Sequence, residues 1–309
     1  MRTQRLGSKG PELSVIGFGA WEAGQGSEWG AAEPEDRVVA AIAAVFDTGI
    51  NWIDTAEVYG DGVSETLVAK AIAGRRDEVL VATKVAPGPD GSGFRAEQVV
   101  AACEGSLRRL GTDHIDLYQL HWPDEEIPVE EPWEAMAGLV DAGKVRWIGV
   151  SNFDRGLIER CEAIRHVDSL QQEFSMVQRS DAELLRWCGE NGTGVVTYGP
   201  LAYGLLTGAI DATTTFTEDD HRRDKGSLFA PGRREANLAV VDAMRPVAER
   251  LGCTLAQLAL AWNFLQPGVT SAIAGSRNPR HVADNAAAGR IELDDATLAE
   301  LDRAAALAG

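Results

Sequence analysis

The sequence predicts a closed (β/α)8 TIM barrel, and three observations carry that expectation. Eight short β-rich segments alternate with longer ones, most of them one strand-helix unit apart. Several of the longer segments carry apolar residues at helical period. The glycine-rich turn of the rival doubly wound nucleotide fold is missing. A chain of 309 residues accommodates one such barrel as a single domain over residues 1–309.

Candidate strands begin near Val15, Asn51, Val79, His114, Val145, Ser169, Val195 and Thr270, with gaps of 36, 28, 35, 31, 24, 26 and 75 residues. The last gap leaves room for a long barrel-mouth loop and an extra helix before the final strand. Gly17–Glu22 (GFGAWE), after the first strand, lacks the third glycine of a dinucleotide fingerprint, and no phosphate-loop motif occurs. Val99, Cys103, Leu107 and Leu110 form one helical stripe. Val129, Trp133, Met136 and Val140 form a second, with Pro128 in its first turn and Glu130 and Glu131 beside the positive end of the helix dipole. Val240, Met244, Val247 and Leu251 form a third. Glycines 49, 111, 143 and 192 each precede a strand, where helix C-caps adopt the left-handed backbone. The stretch from Gly208 to Arg234 has no period and reads as the mouth loop, with Asp219–Asp220 and Arg222–Arg223 as solvated charge runs.

The net charge of −18 excludes nucleic acid as an expected partner, since phosphate backbones are held by positive charge. The four cysteines, at 103, 161, 188 and 253, are too far apart in sequence for a C-x-x-C motif, and no H-E-x-x-H occurs, so no metal site is expected. The first residues lack the apolar core of a signal peptide, and the longest apolar run, Leu255–Leu265, is too short to span a bilayer. The expectation is a cytoplasmic protein with no membrane partner, monomeric or a small homo-oligomer.

Barrel active sites lie at the carboxyl ends of the strands. Asp54 ends the second strand, with Tyr59 in the following loop. Lys84 ends the third and His121 the fourth. Period-two parity puts Lys84 on the face of Leu80 and Ala82, and His121 on the face of Ile115 and Leu117. If those apolar residues fill the interior, Lys84 and His121 point into the mouth. Each residue alone reads as an ordinary strand-end side chain; together they form a cluster of groups able to perturb one another. An ammonium beside Tyr59 favours the phenolate and is expected to lower its pKa, with Asp54 holding Lys84 charged. Such a set protonates an oxygen while something else attacks the carbon.

These segments resemble the aldo-keto reductase family. Residues 49–60 (GINWIDTAEVYG) resemble the stretch that supplies its catalytic Asp and Tyr; 79–84 (VLVATK) and 113–123 (DHIDLYQLHWP) are similar to its Lys and His strands. Residues 149–153 (GVSNF), 198–201 (YGPL) and 274–285 (AGSRNPRHVADN) resemble its cofactor segments, and the match runs in order from about residue 3 to 305. The resemblance implies reversible reduction of aldehydes or ketones to alcohols with NADPH, NADH being a possible substitute. Tyr59 would be the general acid, Lys84 and Asp54 its tuning pair, and His121 the group that orients the carbonyl. Ser151, Asn152 and Gln171 would hold the nicotinamide carboxamide, and Tyr198 would stack on its ring. Gly19, Ala20, Trp21, Asp54, Gly199, Leu201, Gly204 and Gly275 complete the implied cofactor cradle, with Ser276, Arg277, His281, Asp284 and Asn285 at the adenosine end. Arg277 there would clasp a 2′-phosphate. His281 stands where relatives commonly carry Arg or Gln, Gly199 replaces a frequent Ser, and Ala202–Tyr203 departs from a frequent glycine-rich pair. Trp21, Trp29 and Trp122 would wall a substrate pocket suited to aromatic or apolar carbonyl compounds. The alternative implied by the same resemblance is a regulatory subunit that senses redox state through a bound cofactor.

Overall fold

The computed structural model describes residues 1–24, 32–88, 91–218, 220–224 and 226–308. Eight parallel strands close into a barrel: β3 (Ile16–Gly19), β4 (Trp52–Asp54), β5 (Leu80–Val85), β6 (Ile115–Leu120), β7 (Val145–Ser151), β8 (Ser169–Glu173), β9 (Gly194–Tyr198) and β10 (Val269–Gly275), with β10 returning to pair with β3. Each begins within one residue of its sequence-expected start. Helices occupy the intervals: α1 (Glu35–Ala43), α2 (Val45–Thr48), α3 (Val63–Ala71), α4 (Ala96–Leu110), α5 (Glu130–Asp141), α6 (Arg155–Glu162) and α7 (Ala182–Glu190). Glycines 49, 111, 143 and 192 all have positive φ, as their capping positions require.

The barrel interior is a separate apolar layer of Leu6, Leu13, Trp52, Ala82, Leu117, Val196 and Ile273, with Leu80 packed against it. Parity is therefore met at Leu80, Ala82 and Leu117, whereas Ile115 joins the larger cluster between strands and helices. Leu6 and Leu13 come from an element with no sequence forewarning. It is an antiparallel hairpin of β1 (Thr3–Arg5) and β2 (Glu12–Ser14) at the amino-terminal end of the barrel. Trp52 fills the centre by lying where a side chain on Gly17 would stand, only 2.1 Å from that ideal Cβ.

The 75-residue interval holds more than one extra helix. After a 3-10 segment (Ala202–Thr207) come two short helices, α8 (His221–Asp224) and α9 (Gly226–Phe229), then the long α10 (Arg233–Leu251) and α11 (Leu255–Phe264). The α10 stripe is buried at Val240, Met244 and Val247, but Leu251, in the terminal turn, is exposed. Thr254 caps α11 by accepting the Gln257 N–H at 3.2 Å. After β10 follow α12 (Pro279–Ala287) and α13 (Asp295–Ala305), the latter against α10. Among the described residues, no helix is long and apolar enough to cross a membrane.

Candidate active site

At the carboxyl ends of the strands a cleft of about 1000 Å³ opens across the barrel. Its floor is set by β4, β5 and β8. Lys84 is fully buried, and its Nζ donates to Asp54 Oδ2 at 2.8 Å, to the Thr55 carbonyl at 2.8 Å and to Tyr59 Oη at 3.1 Å. Three donors meet three acceptors, so the ammonium is satisfied without water. An ammonium has no acceptor to offer, so Tyr59 Oη accepts from Lys84 and its own proton is available to a partner in the cleft. The other Asp54 oxygen, Oδ1, accepts from Gln171 Nε2 at 2.8 Å. Lys84 was expected to point into the mouth; it is instead sealed behind Asp54 and Tyr59 and reaches the cleft through the phenol.

Tyr59 is held from both sides. Its neighbour Gly60 lies so close to Gly24 that a Cβ would stand 2.1 Å from the Gly24 carbonyl oxygen. The Trp21 and Tyr59 rings stack with centroids 6.1 Å apart, and His121 meets Tyr59 edge-on at 5.7 Å. Burial pushes the Tyr59 pKa up, and Lys84 pulls it down only in part, so the net direction is upward. This corrects the expectation of a lowered value: desolvation of a phenolate outweighs one nearby ammonium that also faces a carboxylate. Burial disfavours the Lys84 ammonium, but Asp54 and Tyr59 more than offset it, and its pKa is raised. Burial, with Lys84 adding repulsion, drives the His121 pKa well below the ordinary histidine value. His121 is therefore neutral, and its Nδ1 is buried without a hydrogen-bond partner among the described residues.

Asn152 organises the adjoining wall. It follows β7 with a left-handed φ of 62°, a conformation Asn tolerates better than most residues. Its Nδ2 donates to the His121 carbonyl and to Ser151 Oγ, both at 3.1 Å, and its Oδ1 accepts from the Tyr198 hydroxyl at 2.8 Å. At the far end, Ser276 Oγ lies 3.3 Å from His281 Nδ1, and Asp284 accepts from Gln257 Nε2 at 2.7 Å.

Comparisons with known proteins give this arrangement a family. The model of the Aldo/keto reductase family matches residues 15–306. The chain belongs to the aldo/keto reductase family. It is 38% identical over 286 residues to Aldo-keto reductase YhdN of Bacillus subtilis, covering 90% of this chain and 86% of that protein. Among solved structures it resembles the glycerol dehydrogenase AKR11B4 of Gluconobacter oxydans (TM-score 0.88, 32% identity, 98% of this chain and 94% of that one). It also resembles an aldo/keto reductase of Klebsiella pneumoniae in complex with NADP and acetate (TM-score 0.76, 34% identity, 98% and 95%).

In this aldo/keto reductase the cleft gathers nearly all of the residues singled out from sequence. Gly19, Trp21, Asp54, Tyr59, His121, Trp122, Ser151, Asn152, Gln171 and Tyr198 line it, as do Gly199, Leu201, Gly204, Gly275, Ser276, Arg277, His281, Asp284 and Asn285. Ala20 does not: it is fully buried, its N–H donating to the Asp54 carbonyl and its own carbonyl accepting from Ser64. Trp29 lies outside the described residues, as does Asp219. Arg222, read as a solvated charge, is half-buried and lines the cleft; it pairs with Asp220 at 2.5 Å and stacks on Phe216 at 4.6 Å. Sequence reasoning also missed Glu22, Tyr203 and Thr254 in the lining. Thr254 had a readable signal, the capping pair Thr254 and Gln257. Tyr203 stood out in sequence only as a departure from a frequent glycine-rich pair; it sits in a left-handed conformation (φ 56°) with its hydroxyl donating to Glu173 at 3.0 Å.

Proposed function

We propose that this aldo/keto reductase reduces aldehydes or ketones to alcohols, reversibly, with NADPH preferred and NADH accepted, and that Tyr59 is the general acid. The observation that carries the reading is Lys84 Nζ bridging Asp54 and Tyr59 Oη at the floor of a long cleft, with neutral His121 beside them. The residues present fit a dinucleotide. The cleft has the volume, its one end is aromatic and its other end carries Arg222, Arg277 and His281 for phosphate charge. Gly19 and Gly275 face each other so closely that a Cβ on Gly275 would stand 2.5 Å from the Gly19 carbonyl, leaving bare backbone as the wall. The relative from Klebsiella pneumoniae was solved with NADP and acetate, which supports the same cofactor and a small oxygen ligand here.

When bound, the nicotinamide would supply the hydride that attacks the carbonyl carbon. Ser151, Asn152 and Gln171 would hold its carboxamide, and Tyr198, whose hydroxyl donates to Asn152, would hold its ring face. Tyr59 donates its proton to the carbonyl oxygen as negative charge develops there. Lys84 then stabilises the phenolate across the bond it already makes. His121, kept uncharged by burial and by the nearby Lys84, would orient the oxygen by a hydrogen bond. Trp21 and Trp122 flank this end and favour flat or apolar carbonyl compounds.

NADPH and NADH oxidation with aromatic and aliphatic aldehydes, wild type beside Tyr59→Phe, tests the reading. Turnover is expected to fall by about 10²–10⁴-fold in the variant while cofactor still binds. Undiminished turnover would overturn the role of Tyr59. Tight cofactor binding with no turnover on any aldehyde would favour the redox-sensing subunit instead.

A further inference from the structure

Glu22 takes no part in that chemistry, yet it lines the same cleft. It opens the 3-10 turn after β3, and β3 pairs with β10 through Gly19 and Gly275. The two chains leave the barrel side by side, which brings Glu22 against the segment after β10. The Arg277 main-chain N–H donates to the Glu22 carboxyl group, and the side chains of Arg277, His281 and Arg222 are the charged neighbours that act on it. These reach it from the end of β10, from α12 and from the mouth loop. A carboxylate has thus been built into the middle of the cationic end of the cleft, where the ligand itself must place negative charge.

We propose that Glu22 is a cofactor-discriminating residue that holds the anion position beside Arg277 from the protein side. A ribose 2′-phosphate arriving there meets a like charge, whereas a ribose 2′-hydroxyl meets an acceptor. The inference rests on the nicotinamide reading above and adds to it: Arg277 alone would give strict NADPH preference, and Glu22 tempers it so that NADH is also used. Burial pushes the Glu22 carboxyl up more than Arg277, His281 and Arg222 pull it down, so the net direction is upward. Its charge depends on those cations, and a phosphate that engages Arg277 withdraws part of that support. The same geometry gives the 2′-hydroxyl of NADH a partner that a site built only of cations lacks.

The test is equilibrium binding, by titration calorimetry, of NADPH, NADH, adenosine 2′,5′-bisphosphate and AMP to wild type and Glu22→Gln. The substitution keeps the shape and keeps an oxygen for the Arg277 N–H while removing the charge. Affinity for NADPH and for the bisphosphate is expected to rise by about five- to tenfold, with NADH and AMP unchanged or weaker. The gain should shrink as salt is raised. Equal shifts for the ligands with and without a 2′-phosphate, or no shift, would overturn the inference and leave the cofactor reading standing. Failure of the wild type to bind either dinucleotide would overturn that reading itself, and the inference with it.

Discussion

Tyr59 has to keep its proton in the resting site and release it to a reacting oxygen, and its surroundings favour the first condition. Its raised pKa, caused by burial and only partly opposed by Lys84, keeps the phenol protonated past its ordinary value of 10.0. His121, shifted down by burial and by Lys84, stays neutral below its ordinary 6.5. With the acid raised and the histidine lowered, no group in the proposed mechanism changes state near neutrality. The kcat of carbonyl reduction is therefore expected to stay level between about pH 6 and pH 9, while alcohol oxidation, which needs the phenolate, climbs throughout that range. A pH-rate profile in both directions checks this, and an alkaline fall in reduction centred near neutral pH would contradict it. The grouping of Asp54, Tyr59, Lys84 and His121 was legible in the sequence because three of them stand at strand ends, Tyr59 follows closely in a loop, and a known family carries the same spacing. The sign of the Tyr59 shift was not, because it depends on how completely three-dimensional packing dries the phenol. Glu22 was illegible for a related reason: its meaning comes from Arg277, 255 positions away in sequence, and nothing local in GFGAWE announces that partner.

At the scale of elements, the eight barrel strands were legible because they recur at strand-helix spacing and most are short apolar runs, β8 (SLQQE) being the polar exception. The hairpin β1–β2 was not. Its strands are three residues each, partly exposed and polar, and their one message is Leu6 and Leu13 either side of a turn. Those two side chains close the amino-terminal end of the barrel, 1% and 3% exposed, against Trp52, Ala82 and Leu117. Removing part of that plug leaves a cavity the rigid strands cannot collapse into. Leu13→Ala is expected to cost about 2–5 kcal/mol in urea unfolding, with turnover unchanged well below the midpoint. A loss under about 0.5 kcal/mol would mean the hairpin is ornamental. The mouth segment shows the opposite limit. Its composition suggested a solvated loop, but the ring of Phe216 and the carboxylate of Asp220 draw Arg222 inward, a tertiary effect that composition does not carry.

Across the whole molecule, stability and chemistry are laid out at opposite ends of the same strands, and β6 shows both. Asp116, second in the strand and 1% exposed, accepts from Arg76 at 2.6 Å, from Arg146 at 2.8 Å and from the Val81 N–H at 2.8 Å. It ties the starts of β5, β6 and β7 together. His121, just past the other end, faces the cleft. Asp116→Ala would strand the Val81 N–H in a buried position and leave two guanidinium groups facing each other. Arg146 is half exposed, so water compensates part of that loss. A destabilisation of about 2–3 kcal/mol is expected, read as a lower urea midpoint, with kcat and KM unchanged at temperatures where the variant is folded. His121→Ala should do the reverse, lowering kcat with little change in the midpoint. If Asp116→Ala lowered kcat in the folded protein, the barrel would be transmitting strain along β6, and the two ends could not be treated as independent.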